Sequence, residues 1–132
     1  EQRLEHRVAS LEIDLRDETR PAPAGFDAIR MSQFLDCFSE SQIVSILRRA
    51  ASALATGGFI HILELLWDRQ PNETAAFCLQ QTSLYFACIA NGNSRMYRSD
   101  DLLRCIEASG LKRVEQRDHV GPYHTLLTCS KE

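Results

Sequence analysis

Excess positive charge, long apolar runs and paired cysteines are all missing from this sequence. Against 15 Lys+Arg stand 18 Asp+Glu, a net charge of −3, so the chain offers no electrostatic footprint for nucleic acid or an anionic membrane. No apolar run approaches the roughly 18 residues that span a bilayer. The N-terminus opens on Glu1-Gln2-Arg3 without the apolar centre of a signal peptide. The expectation is a cytoplasmic protein, with neither nucleic acid nor membrane as partner. Five cysteines, Cys37, Cys78, Cys88, Cys105 and Cys129, form no C-x-x-C pair and are expected to serve as small buried hydrophobes. The histidines His6, His61, His119 and His124 lack ligand spacing, so no metal site is expected. Glycine is thin where a nucleotide-cradling loop needs it: Gly25, Gly57, Gly58, Gly92, Gly110 and Gly121 make no G-x-G-x-x-G variant. What remains is 132 residues, 44% hydrophobic, enough for one domain over residues 1–132 with a modest core.

Periodicity supplies the elements. Leu11, Ile13 and Leu15 alternate with polar residues, which predicts a strand over Val8–Leu15. Arg20 to Gly25, with two prolines and a glycine, reads as a loop. A second strand is expected over Phe26–Phe34. Ser39-Glu40-Ser41-Gln42 is a capping box opening a helix. Its apolar stripe runs through Ile43, Ile46, Leu47, Ala50, Ala51 and Leu54, and Gly57-Gly58 is expected to stop it. Phe59–Leu66 is apolar on both faces, the pattern of a parallel strand covered by helices on each side. Strand, helix and strand make a βαβ unit. A helix capped by Asn72 follows, running to about Ala90 and ended by Asn91-Gly92. Another opens at Ser99-Asp100-Asp101 and closes at Gly110. Arg113–Val120 and Tyr123–Cys129, joined at Gly121-Pro122, form an antiparallel hairpin.

In open α/β sheets, ligands bind beyond the carboxyl ends of the parallel strands. That rule selects Asp14-Leu15, Ser32 to Asp36, and Glu64 to Asp68. Asp36 and Glu64 come from adjacent strand ends and can share a crevice as general base and orienting group. Asp36 can equally be a loop residue that caps the next helix. Glu64, inside an apolar strand, must be paired or face a polar cavity. Asp100-Asp101 fits an ordinary first helical turn. Phe77, Leu84, Tyr85, Phe86 and Ile89 make an aromatic stripe suited to core or dimer surface. Asn91 to Tyr97 carries Arg95 and Tyr97 between two helices, as a loop closing over a ligand or as a plain connector.

The run Phe26-Asp27-Ala28-Ile29-Arg30-Met31-Ser32-Gln33-Phe34-Leu35-Asp36-Cys37-Phe38-Ser39, with the Leu47-Arg48-Arg49 helix, Gly57-Gly58 and Ile62-Leu63-Glu64, resembles the later motifs of class I S-adenosylmethionine-dependent O-methyltransferases. The likeness is to the small-molecule branch with plant caffeate-type enzymes and bacterial relatives. It implies an α/β fold: a partial Rossmann-like methyltransferase sheet with helices on both faces and a C-terminal antiparallel hairpin. It also implies that the chain is the C-terminal portion of a catalytic domain, lacking the glycine-rich first strand and inactive alone. By resemblance, Asp14, Leu15, Ser32 and Gln33 contact S-adenosylmethionine, Asp36 and Glu64 are catalytic, and Phe77, Tyr85 and Met96 wall a small-molecule substrate. The family's His-Asp-Trp triplet is here Asp36-Cys37-Phe38, which puts Asp where the family has its base. In the family's strand order, removing two strands leaves Val8–Leu15 without neighbours. That strand is therefore expected to pair with the Phe26 strand or with a second copy in a homodimer. The competing expectation is a non-catalytic interaction module derived from the same fold.

Overall fold

The computed structural model describes residues 5–20, 23–90 and 92–131. Its elements are β1 (Phe26–Ser32), α1 (Glu40–Ala53), β2 (Leu54–Glu64), α2 (Glu73–Tyr85), α3 (Ser99–Ala108), β3 (Leu111–Val120) and β4 (His124–Lys131). They form the expected α/β class. The sheet order is β1-β2-β4-β3, with β1 parallel to β2 and both later pairings antiparallel.

Helix α1 begins as its sequence dictates. The Ser39 hydroxyl accepts from the Gln42 backbone N–H, and the Gln42 carboxamide accepts from Ser39 N at 3.0 Å. The stripe Ile43, Ile46, Leu47 and Ala50 is buried against Ile60 and Ile62 of β2 and Leu127 of β4. Helix α3 adds Leu102, Cys105 and Ile106 to the same core, and Arg48 ties the two helices by donating to Ala108 O. Coverage of the sheet is unequal. Residues of β2 that alternate with this core, His61 and Leu63, are half-buried, and Phe59 stays 39% exposed.

Four expectations are corrected. Residues 8–14 form no strand. A strand needs a ladder, and β1 is separated from Leu11, Ile13 and Leu15 by a cavity those side chains help to line. Their alternation turns Ile13 and Leu15 inward, while turns and Arg49 satisfy the backbone: the Arg49 guanidinium donates to Asp17 O at 3.0 Å and to Leu15 O. Secondly, Gly57-Gly58 does not end α1, which stops at Ala53 with Leu54 already extended. The glycines lie within β2, where its pairing with β1 skips from Leu54 to Phe59. A Cβ on Gly58 would sit 3.0 Å from the carbonyl oxygens of both Phe26 and Asp27, so this close approach favours glycine and any larger residue must push the β1 backbone aside. Thirdly, the helix from Asn72 is α-helical only to Tyr85 and continues as a π-turn over Phe86–Ala90; Asn91 lies outside the described residues. Finally, Cys37, Cys78 and Cys88 are exposed, and only Cys105 and Cys129 are buried.

Candidate active site at the ends of the parallel strands

The chain leaves β1 through a sharply turned segment. Gln33 N donates to Leu63 O at 2.8 Å, which extends the β1–β2 ladder by one residue. Gln33 itself then takes a left-handed φ of 47°, a conformation that a non-glycine residue holds only when its surroundings impose it. The next two amides, Phe34 N and Leu35 N, converge on one oxygen, Glu64 Oε1, at 2.9 and 2.8 Å. That carboxylate at the end of β2 thereby caps the short 3-10 turn over Leu35–Cys37.

Glu64 is 4% exposed. Burial pushes its carboxyl up to about 7, against the two backbone N–H groups that favour the charged form; the nearby Asp36 adds to the rise. Asp36 and Glu64 are brought together as expected, and with Tyr97 and Leu66 they border one crevice, but it has no room for a water molecule. Asp36 is held from outside by its backbone, whose carbonyl accepts from Arg95 N at 2.9 Å. The Arg95 guanidinium lies 4.5 Å over the Tyr97 ring and pairs with Glu40, while the Tyr97 hydroxyl donates to Phe38 O at 2.6 Å. The connector expected between two helices is thus docked on the turn that carries Asp36.

Two cavities flank these strand ends. The first, about 550 Å³, runs beside β1 and is lined by Leu15, Ile29, Ser32, Phe34, Arg30 and Arg49 among others. Of the residues expected at a cofactor, Leu15 and Ser32 share this cavity. Asp14 is exposed, and its carboxylate accepts from the backbone and guanidinium of Arg16, which hold it below the usual range. Gln33 points its carboxamide at His124, with Nε2 to Nε2 at 2.6 Å. The second cavity, about 590 Å³, opens between the start of α2 and the β3–β4 turn, against Leu65, Leu79 and Tyr123. Residues expected to wall a substrate are dispersed: Phe77 and Tyr85 are 60% and 53% exposed, and Met96 is buried, its amide donating to Ser83 Oγ at 3.1 Å. None of the three lines either cavity. His124 was missed by sequence reasoning. The only signal for it is its place one residue beyond the Gly121-Pro122 turn, at the start of β4 and at the same end of the sheet as Glu64.

Residues 1–106 match the model of an O-methyltransferase domain family. No curated protein matches the chain in sequence. Among solved structures, the S-adenosylmethionine-dependent methyltransferase SibL in its apo form is 25% identical, with TM-score 0.77 over 97% of this chain and 37% of that one. An O-methyltransferase family protein from Burkholderia thailandensis is 18% identical, with TM-score 0.76 over 98% of this chain and 37% of that one. The O-methyltransferase NcsB1 from neocarzinostatin biosynthesis, solved with S-adenosyl-L-homocysteine and 1,4-dihydroxy-2-naphthoic acid, is 21% identical, with TM-score 0.69 over 88% of this chain and 32% of that one. The chain spans about a third of the length of these solved structures.

Proposed function

The chain belongs to the O-methyltransferase domain family, and from that premise we propose that it is the C-terminal portion of a catalytic domain that uses S-adenosylmethionine to methylate a small-molecule hydroxyl. The observation that carries the reading is the convergence at the ends of β1 and β2. There the Ser32–Asp36 turn is locked by Glu64 beside a cavity lined by Leu15 and Ser32.

The residues of that cavity suit the uncharged adenine half of the cofactor. Its walls are largely apolar, and its charged liners, Arg30 and Arg49, are both cationic, which disfavours a sulfonium or ammonium group in the same place. When bound, the cofactor supplies an electrophilic methyl group. Leu15 and Ser32 would pack and hydrogen-bond the base, and Gln33 would border the ribose side. Glu64 acts through the loop: with Oε1 committed to two amides, it fixes where Ser32–Asp36 sits. The chain offers no glycine-rich cradle for the methionine half, so binding is expected to be weak and turnover absent. Amide chemical shifts of the 132-residue chain titrated with S-adenosylhomocysteine test this. Perturbation confined to Leu15, Ser32 and Gln33 with affinity weaker than micromolar supports the reading. Tight binding refutes the half-site, and a silent titration refutes the cofactor assignment.

A second reading, homodimerisation or use as an interaction module, is favoured by the free edge of β1. The opposite edge strand, β3, displays Arg113, Glu115 and Arg117, charges of the kind that discourage edge pairing. The β1 edge carries two charges, Asp27 and Arg30, among Phe26, Ala28, Ile29 and Met31, beside a largely apolar cavity. Light scattering over a concentration series decides: a dimer lost in Ala28→Lys supports association, and a monomer at every concentration sinks it.

A further inference from the structure

The cavity beside β1 carries a charge that its own walls do not balance. Arg30 and Arg49 line it, and no acidic residue does. Arg30, exposed on β1, has no hydrogen bond or ion pair among the described residues. Arg49 Nη1 donates to Asp17 O at 3.0 Å and Nη2 to Leu15 O, but its Nε–H is buried and has no partner among the described residues. A guanidinium holds five N–H donors in a planar fork, and a buried donor left unpaired is a penalty that an acceptor oxygen removes. Asp14 and Asp17 are close enough to feel this guanidinium. Their carboxylates are held first by side-chain hydrogen bonds from Arg16 and Thr19, and neither residue lines the cavity.

The space is elongated, and one end of it is apolar. It is lined along β1 from Phe26 to Ser32, which at about 3.3 Å per residue makes a run of about 20 Å. Helix α1 returns along β1 and finishes at the Phe26 end, where Gly25 N donates to Ala53 O at 2.9 Å. Arg49, one turn before Ala53, and Arg30, four residues after Phe26, both lie inward of that end. Leu11 and Ile13 meet Pro23 there, and with Phe26 and Ala53 they make its wall. From Phe26 to Arg30 the strand covers about 13 Å, a reach that suits an extended chain better than a compact ring.

We propose that this cavity binds a medium-chain aliphatic carboxylate, with its head at Arg49 and Arg30 and its chain lying towards Phe26 and Ala53. A carboxylate oxygen accepts from Arg49 Nε–H while the guanidinium keeps its bonds to Leu15 O and Asp17 O. Arg30 supplies the second positive charge around the head. The two cations repel an alkylammonium, and an uncharged alcohol of the same length lacks the charge that strengthens a hydrogen bond from Arg49. A hydrophilic anion satisfies the head but leaves the apolar end unfilled. At about 550 Å³ the cavity has the size of small-molecule sites. This site does not rest on the cofactor reading, which draws on Leu15 and Ser32.

The test follows amide and arginine Nε–H resonances of the 132-residue chain during titration with octanoate, octanol and octyltrimethylammonium, each below its micelle concentration. Octanoate should bind about tenfold more tightly than octanol and shift the amides of Phe26, Ala28, Arg30 and Ala53. The Arg49 Nε–H resonance should move downfield and exchange more slowly with solvent. Arg30→Gln, a change at an exposed position, should weaken octanoate several-fold and leave octanol unchanged. Octyltrimethylammonium should leave all these resonances in place. Equal affinity for octanoate and octanol overturns the proposal, as does bound octanoate with the Arg49 Nε–H unmoved. Octanoate that fails to bind at millimolar concentration, or shifts centred on the exposed Phe77 and Leu84 of α2, overturns it too. None of these outcomes needs a variant, so a failure of Arg30→Gln to fold leaves the test intact.

Discussion

Replacing Glu64 by Gln removes a buried negative charge while keeping an oxygen that can accept from Phe34 N and Leu35 N, now at 2.9 and 2.8 Å. The carboxyl is pushed from 4.5 up to about 7 in the folded chain. A folded-state value above the unfolded one means that the unfolded chain loses this proton first. Stability from this group is therefore fully present below pH 4.5 and is lost as pH rises towards 7. At about 1.4 kcal/mol per pKa unit, the penalty is about 1 kcal/mol at pH 5 and about 3 kcal/mol at pH 8. The amide has no such titration. Urea unfolding at both pH values should show Glu64→Gln nearer to wild type at pH 5 and more stable than it by about 2 kcal/mol at pH 8. If the gap between the two chains does not change with pH, the buried carboxylate is not charged at the cost argued here, and the account of the turn fails with it.

Arg49→Met deletes the donors to Leu15 O and Asp17 O and also a buried Nε that has no partner. Hydrogen exchange should then accelerate across residues 11–17, with a loss of about 1–2 kcal/mol; unchanged protection there would show that Arg49 does not hold the segment. Gly58→Ala forces a Cβ to 3.0 Å from two backbone oxygens and should cost about 1–3 kcal/mol in urea unfolding. Its neighbour Gly57 has open space but a φ of 78°, so Gly57→Ala should cost about 1 kcal/mol; equal costs would contradict the steric argument. With a thiol reagent, Cys78 and Cys88 should react quickly, and Cys37, exposed but with its thiol pushed up by partial burial and the neighbouring Asp36 carboxylate, more slowly. Cys129, whose thiol burial pushes up to about 11, and buried Cys105 should react only on unfolding. A single fast thiol would contradict the observed exposure.

Where structure depends on neighbours along the chain, the sequence determined it. Ser39 and Gln42 are three residues apart, so the capping box that starts α1 could be read directly, as could the stripe Ile43, Ile46 and Leu47 that α1 buries. The Phe26 and Phe59 strands, the C-terminal hairpin and the placing of Asp36 and Glu64 together at adjacent strand ends followed from period and turn chemistry. The tertiary structure decided what depends on partners far along the chain. Alternation at Leu11, Ile13 and Leu15 specifies which side chains turn inward, but a strand also needs a ladder, and the space beside β1 holds a cavity instead. Gly57 and Gly58 carry the same local signal at a helix end as in a strand crowded by Phe26 O and Asp27 O. Gln33 and His124 are 91 residues apart, and no periodicity reports such a contact. Only the pairing of β2 with β1 on one side and β4 on the other brings them together.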